Sequence, residues 1–208
     1  MARMKGEIFA GDSTFISPLA LLGERVTVGS NVQIWHYTQI REGASIGSNT
    51  IIGKSVYVGP DVIVGENCKI QNGVEINEPT VLESGVFLGP GTIITNDKLP
   101  RAINPDERIK GKTDWVRSKT ILKLGCSVGA GSVIVSPCLV GQWSMIGAGS
   151  VVTRDVMDHS LAFGNPAKFI AWIGFTGQRL TEKQGFWVDP TTNHKFILVK
   201  EGLRYVSQ

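Results

Sequence analysis

Few residues in this chain are of types that do chemistry, and their positions narrow what that chemistry can be. There are three histidines (His36, His159 and His194) and three cysteines (Cys68, Cys126 and Cys138). The cysteines are an odd, sparse set without CxxC spacing, so neither a disulfide framework nor a zinc cluster is expected. The remaining candidates are Asn96 and Asp97, in the stretch VFLGPGTIITNDKLPRAINPDERIKGKTDWVRSKTIL (86–122). An amide beside a carboxylate offers a hydrogen-bond acceptor and a proton acceptor. The same pair also makes ordinary turns. No histidine lies near it in sequence.

The elements that must position these residues follow a six-residue beat. Counting in sixes from Ile16 to Ile94, and again from Leu122 to Val152, all 20 positions are Ile, Leu or Val. Two places before each stands a small or β-branched residue, from Thr14 to Thr92 and from Thr120 to Ser150. A period of six is neither the 3.6 of a helix nor the 2 of a single strand. It suits a three-sided prism in which each hexad is one short extended side and three hexads close a coil. Residues i−2 and i share a strand face, so both columns point inward, and successive coils stack as parallel strands about 4.8 Å apart. Twenty hexads predict six to seven coils and a column roughly 30 Å tall. Cys68, Cys126 and Cys138 fall in the small inward column and are expected to be core residues. Gly29, Gly47, Gly53, Gly59 and Gly65, just after the aliphatics, are expected to serve turns with unusual backbone angles.

The beat fails once. From Lys98 to Lys119, 22 residues intervene before it resumes in another phase. The segment is polar and carries Pro100 and Pro105, so it must leave the prism. We expect it to be an ordered loop roofing a cleft between two copies of the chain. Beyond the prism, FGNPAKFIAWIG predicts a short helix from Ala167 to about Ile173, with Asn165 as N-cap and Pro166 at its first position. The final stretch KQGFWVDPTTNHKFILVKEGLRYV (183–206) predicts a small β-meander. The expected division is a repeat domain, 1–162, with loop 98–119 inserted, followed by 163–208.

Bulk properties exclude some functions. With 21 basic and 18 acidic residues the net charge is +3, which does not suggest a large nucleic-acid-binding surface. No apolar run approaches the roughly 18 residues needed to span a bilayer. The N-terminal MARMKGEIFAGDS has no apolar core of a signal peptide, so a cytoplasmic protein is expected.

The repeat resembles that of the hexapeptide-repeat acyltransferases, which implies a left-handed parallel β-helix. The handedness comes from the resemblance, since the usual crossover rule points the other way. Several segments resemble the branch that acetylates nucleotide-linked amino sugars for bacterial surface polysaccharides. They are VQIWHYTQI, CKIQNGVEI, GPGTIITNDKLPRAINPD, GAGSVVTRDV and GNPAKFIAW. The TND and NPD runs lean toward dTDP-linked 3-amino-3,6-dideoxyhexoses rather than UDP-linked amino-uronic acids.

This resemblance implies acetyl-CoA or another acyl-CoA as co-substrate, no metal, a homotrimer, and attack of a substrate amine on the thioester. It places Asn96 where its side-chain oxygen accepts a hydrogen bond from that amine, and we assign proton uptake or sugar contact to Asp97. An O-acetyltransferase of a sugar or small hydroxyl acceptor is the alternative. Its relatives use a histidine at the break, and here none is present. Candidate substrate contacts are Gln71 and Asn72, which replace glycine after the aliphatic, with Asn77 and Glu83 in the same sequence column, and Arg101 and His36. Candidate cofactor contacts are Ala130 and Gly131 (as the oxyanion region), Ala148, Gly149, Arg154, Gly164, Asn165, Pro166 and Lys168. A zinc ribbon, seen in the tails of relatives, is not supported because its cysteines are missing.

Overall fold

A computed structural model describes residues 3–4, 9–111 and 113–207. The chain winds as a three-sided parallel β-helix whose strands are mostly two residues long. Side one stacks eight strands from Arg3–Met4 through Leu21–Leu22 and Gln39–Ile40 to Val151–Val152. Side two stacks seven, from Phe9–Ala10 to Cys138–Val140. Side three runs from Phe15–Ile16 to Ser160–Gly164, with Ala167–Trp172 added at its upper edge. Gln39 pairs with Tyr57, three hexads further along the chain, so three hexads make one coil. Eight strands on one side make the column about 34 Å tall. The helix begins earlier than the aliphatic count suggests, because Arg3–Met4 and Phe9–Ala10 already pair in phase with Leu21–Leu22 and Thr27–Val28. Met4 and Ala10 keep the beat without being Ile, Leu or Val.

Both inward columns are where the spacing puts them. Every aliphatic except Ile16 and every small residue except Thr14 is buried; those two belong to the lowest coils. The small polar residues also satisfy corner carbonyls that the coil leaves over. Thr38 Oγ1 donates to Gly53 O at 2.7 Å, Thr50 Oγ1 to Gly65 O at 3.0 Å, and Ser132 Oγ to Gly147 O at 3.1 Å. An alanine at position 38 would leave the buried Gly53 carbonyl short of a partner, whereas Gly147 O also accepts from Ser150 Oγ at 2.6 Å. The three cysteines are buried in this column. Burial pushes the Cys138 thiol up to about 12, helped by the nearby Asp155 carboxylate, so it remains a thiol.

The role expected of the glycines is corrected. Left-handed backbone falls two residues later, at Asn31, Asn49, Ser55, Asp61 and Asn67. The post-aliphatic glycines are needed because the next coil passes too close for a side chain. A Cβ on Gly129 would lie 2.4 Å from the Ala148 nitrogen, and one on Gly29 would lie 2.6 Å from that of Ser48. Gly129→Ala is therefore expected to cost about 1–3 kcal/mol, read as a lowered melting temperature in thermal denaturation.

The helix expected from Ala167 is also corrected. Ala167–Trp172 is a strand paired antiparallel with Ser160–Gly164, and Asn165–Pro166 form its turn rather than an N-cap and first helical turn. No described residue is helical. The uppermost strand of side three presents open backbone donors and acceptors, which a strand can satisfy and a helix cannot. The run KFIAW, rich in aromatic and β-branched residues, suits that pairing.

The tail is a four-stranded antiparallel meander (Thr181–Lys183, Phe186–Val188, Lys195–Val199, Gly202–Ser207). It has its own core of Trp172, Leu180, Phe196 and Leu203. Asp158 joins it to the prism: its amide donates to Glu201 O at 2.9 Å, its carbonyl accepts from Leu203 N at 3.2 Å, and its carboxylate lies 3.7 Å from Lys123 Nζ. His159 is buried beside Phe175 and Phe196, with Nδ1 3.2 Å from Ile173 O. Burial lowers its pKa, against the opposing pull of the Ile173 carbonyl and Asp158. The unfolded chain, with a histidine pKa of about 6.5, then binds the proton more readily than the folded one. Its contribution to stability is complete above that value and is lost as pH falls below it. Melting temperatures measured from pH 7 to 5 should fall, and should fall less steeply in His159→Gln.

Candidate active site

The interruption leaves the prism at the corner between sides one and two. Ile93–Ile94 is the last strand of side one before it, and Thr120–Leu122 enters side two directly above Thr80–Leu82, with Leu122 paired to Leu82. The loop is therefore inserted at a corner and no side of the helix is skipped. Its base is tied shut, since Ser118 N donates to Asn96 O at 2.9 Å, Ser136 N to Thr95 Oγ1 at 3.1 Å, and Ser136 Oγ to Ser118 O.

Further out, Ala102 to Lys110 form a small hairpin, with Lys110 N donating to Ala102 O at 3.0 Å and Asn104 N to Arg108 O at 2.9 Å. Asp114 fastens it by accepting from Gly111 N at 2.7 Å, Asn104 Nδ2 at 3.1 Å and Arg108 Nη1 at 3.3 Å. These bonds, the Gly111 amide foremost, hold its carboxyl below the usual carboxylate range. Arg117 lies 5.9 Å from the Trp115 ring centroid and 3.8 Å from Glu78. The loop is thus internally bonded. Several of its apolar side chains nevertheless find little cover among the described residues: Leu99 is 78% exposed, Ile109 76% and Val116 84%.

Asn96 is half-buried at the base of the loop, and its side-chain amide has no hydrogen-bond partner among the described residues. Asp97 accepts from Leu99 N at 2.8 Å, the turn chemistry expected of an aspartate at a loop start. Asn77 lies at the same corner one coil below, where its Nδ2 donates to Ile94 O at 3.0 Å. Arg101, exposed on the loop, donates to Pro100 O at 2.9 Å. Arg154 is at this corner near the top of the column.

The other candidates lie on other edges. His36, Gln71 and Asn72 sit at the corner between sides three and one, where they line a groove of about 460 Å³ with Trp35, Tyr37 and Lys54. Ala130, Gly131, Ala148 and Gly149 continue up that corner. Gly131 N already donates to Pro90 O and Gly149 N to Ala130 O, both at 2.8 Å. The Ala130 and Ala148 amides donate to nothing among the described residues. The turn at Gly164–Pro166 is next to them, with Gly164 N donating to Ser150 Oγ at 3.2 Å, and Lys168 faces Phe163 across the hairpin. Glu83 is on the third corner, where its carboxylate accepts from Leu124 N at 2.8 Å. The one sequence column holding Gln71, Asn77 and Glu83 is thus spread over three edges, because one hexad advances the chain by one side and only three hexads return it. Trp35, Tyr37 and Lys54 were missed; the signal was a run of exposed aromatics at a corner.

Two family models match: bacterial transferase hexapeptide (six repeats) over residues 43–78, and hexapeptide repeat of succinyl-transferase over 124–154. Both matches lie on coils of the β-helix, so the six-residue repeat of these segments is of the bacterial transferase hexapeptide type. Over 55 residues, 26% of its length, the chain is 53% identical to a dTDP-3-amino-3,6-dideoxy-alpha-D-galactopyranose 3-N-acetyltransferase of Aneurinibacillus thermoaerophilus. Over 73 residues, 35% of its length, it is 34% identical to a galactoside O-acetyltransferase of Lactococcus lactis. The matches span 29% and 34% of those relatives' own lengths. Among solved structures it resembles UDP-N-acetylglucosamine acyltransferase from Campylobacter jejuni (TM-score 0.60, 18% identity, 81% of this chain and 73% of that one). It also resembles a mutant of AntD, an N-acyltransferase from Bacillus cereus, in complex with dTDP-4-amino-4,6-dideoxyglucose and coenzyme A (TM-score 0.52, 20% identity, 79% and 83%). At these identities the likeness is one of fold. No described helix is long and apolar enough to cross a membrane.

Proposed function

We propose that this protein is an N-acyltransferase that moves an acyl group, acetyl in the simplest case, from acyl-CoA to the amino group of a nucleotide-linked amino sugar. The observation that carries this reading is the base of the loop. A half-buried asparagine with an uncommitted side-chain amide stands where the chain leaves the prism to form the loop. Segmental similarity to a dTDP-3-amino-sugar N-acetyltransferase supports an amine as acceptor and dTDP as carrier.

An amine with a pKa near 8 is partly neutral at neutral pH. Held by the Asn96 side-chain oxygen, its nitrogen lone pair attacks the thioester carbonyl. The N–C bond forms, the C–S bond breaks, and the amine proton leaves with the coenzyme A thiol or by way of Asp97. The free amides of Ala130 and Ala148 are the candidate donors to the developing oxyanion. They stand on a different edge of the prism from Asn96, so a single site that uses both groups draws them from two copies of the chain. The uncovered apolar side chains of the loop support such an assembly, which we take to be a cytoplasmic homotrimer serving surface-polysaccharide synthesis. Gly164 to Lys168, on the same edge as Ala148, would meet the nucleotide end of coenzyme A, with Arg154 close to the top of the column.

The direct test is a screen of dTDP- and UDP-linked 3-amino and 4-amino sugars with acetyl-CoA, following free thiol. Turnover with an amino sugar supports the reading. Turnover with hydroxyl acceptors alone would replace it with O-acetylation, the activity named for the Lactococcus relative.

A further inference from the structure

The groove at the corner between sides three and one lies on a different edge from Asn96, and its aromatic wall contributes nothing to the core. Trp35 is 40% exposed and Tyr37 68%. Phe15 and Trp35 have centroids 5.4 Å apart, Trp35 and His36 stack at 6.2 Å and 26°, and Tyr37 follows at 6.3 Å from His36.

Tyr37 has the more telling backbone. Its φ is 62°, in the left-handed region that is an outlier for a bulky residue. Higher on the same corner the corresponding places are held by Ser55 (φ 56°), Gly73, Gly91, Gly131 and Gly149, all with positive φ. The folded chain therefore holds an unfavourable residue in a conformation that serine or glycine would adopt with less strain, and leaves its ring in solvent. Strained residues of this kind are enriched at ligand sites, and unlike Trp143, which has the same backbone (φ 53°) but packs its ring against Phe175, Tyr37 presents its ring to solvent.

The rest of the groove is polar in a specific way. The Gln71 side chain has no hydrogen-bond partner among the described residues, so it can offer an acceptor and a donor side by side. Asn72 Oδ1 accepts from Lys54 N at 2.9 Å, which leaves the Asn72 amino group to donate outward. Lys54 is exposed, with no carboxylate within ion-pair distance among the described residues.

We infer that this groove binds the pyrimidine nucleotide half of the amino-sugar substrate, an inference that rests on the proposed function. The base stacks on Trp35 and Tyr37, Gln71 and the Asn72 amino group meet the imide edge of thymine or uracil, and the Lys54 ammonium faces the diphosphate. Both imide carbonyls accept and the ring N–H donates, which matches the two faces of a carboxamide. A purine such as the adenine of coenzyme A presents a different edge.

The test is calorimetric titration of the full chain with dTDP, UDP and coenzyme A in separate experiments, on the wild type, Trp35→Ala and Tyr37→Asn. We expect dTDP or UDP to bind the wild type and each variant to bind it about tenfold or more weakly, with coenzyme A affinity unchanged. Tyr37→Asn should melt no lower than the wild type, because asparagine adopts the left-handed region readily. Unchanged dTDP and UDP affinity in both variants, with amino-sugar turnover intact, would overturn the groove assignment and leave the proposed function standing. Weakened coenzyme A binding with unchanged dTDP and UDP binding would give the groove to the cofactor and equally overturn it. A marked drop in melting temperature for Tyr37→Asn would overturn the view that the ring serves a ligand rather than the fold. Absence of amino-sugar turnover in the acceptor screen, with nucleotide binding still lost in the variants, would remove the function but keep the groove as a nucleotide site.

Discussion

Asn96→Ala is expected to lower amide formation more than tenfold while leaving the melting temperature close to that of the wild type. The two halves of this expectation have separate causes. The Asn96 carbonyl, which accepts from Ser118 N at 2.9 Å, belongs to the backbone and survives the substitution. The side-chain amide has no partner among the described residues, so its removal leaves no buried group unpaired. What is lost is the acceptor that orients the substrate amine, and a tenfold loss corresponds to about 1.4 kcal/mol of transition-state stabilisation. Steady-state kinetics with the best amino sugar from the acceptor screen would measure it. If the fall is in kcat with KM little changed, the interaction belongs to the transition state. Turnover near the wild-type rate would take Asn96 out of the mechanism.

Leu122→Ala is expected to produce the largest loss of stability, about 2–5 kcal/mol. Leu122 is fully buried, and it is the first inward-facing aliphatic after the loop, stacked between Leu82 below and Val140 above. A solenoid is held together by contacts between neighbouring coils, so a cavity at this level weakens the one interface that joins the two runs of hexads across the interruption. In a chain of this size the melting temperature should fall by roughly 2–4 °C for each kcal/mol lost. Ile63→Ala provides the contrast: Ile63 is also a strand residue, but it is outward-facing and 49% exposed, so a change within about 0.5 kcal/mol is expected for the single chain. Equal losses in the two variants would mean that the inward column does not carry the stability argued for it.

Much of this molecule was legible in the residues because the repeat is strictly local. Period six, a buried aliphatic and a buried small residue two places earlier require only that each hexad be extended and that three of them close a coil. Burial of all three cysteines followed from the same spacing. The failures share one cause, which is contact between coils. Gly29 and Gly47 were read as turn residues, yet the backbone of the neighbouring coil, pressed against the place where a side chain would begin, is what excludes larger residues there. The segment from Ala167 to Trp172 carries good helix-start residues, and the open edge of the last coil drew it into a strand instead.

The site was legible only in part for the same reason. The interruption and its polar base at Asn96 and Asp97 stand out in the sequence, because a break in a regular pattern is visible locally. Which other residues share that corner is not. Asn77 does, lying three hexads below Thr95, which stands just ahead of the break, while Gln71 and Glu83, one hexad to either side of Asn77, stand on the other two corners.

By itself, the sequence determined the cross-section of the prism, its core and the place where the prism is interrupted, since each follows from the identity of residues a few places apart. The tertiary structure alone decided which corner each polar residue occupies, which amides remain free and where the exposed aromatics gather. Those outcomes depend on how many hexads complete one turn of the coil, and on backbones brought together from a full coil away or from opposite ends of the loop.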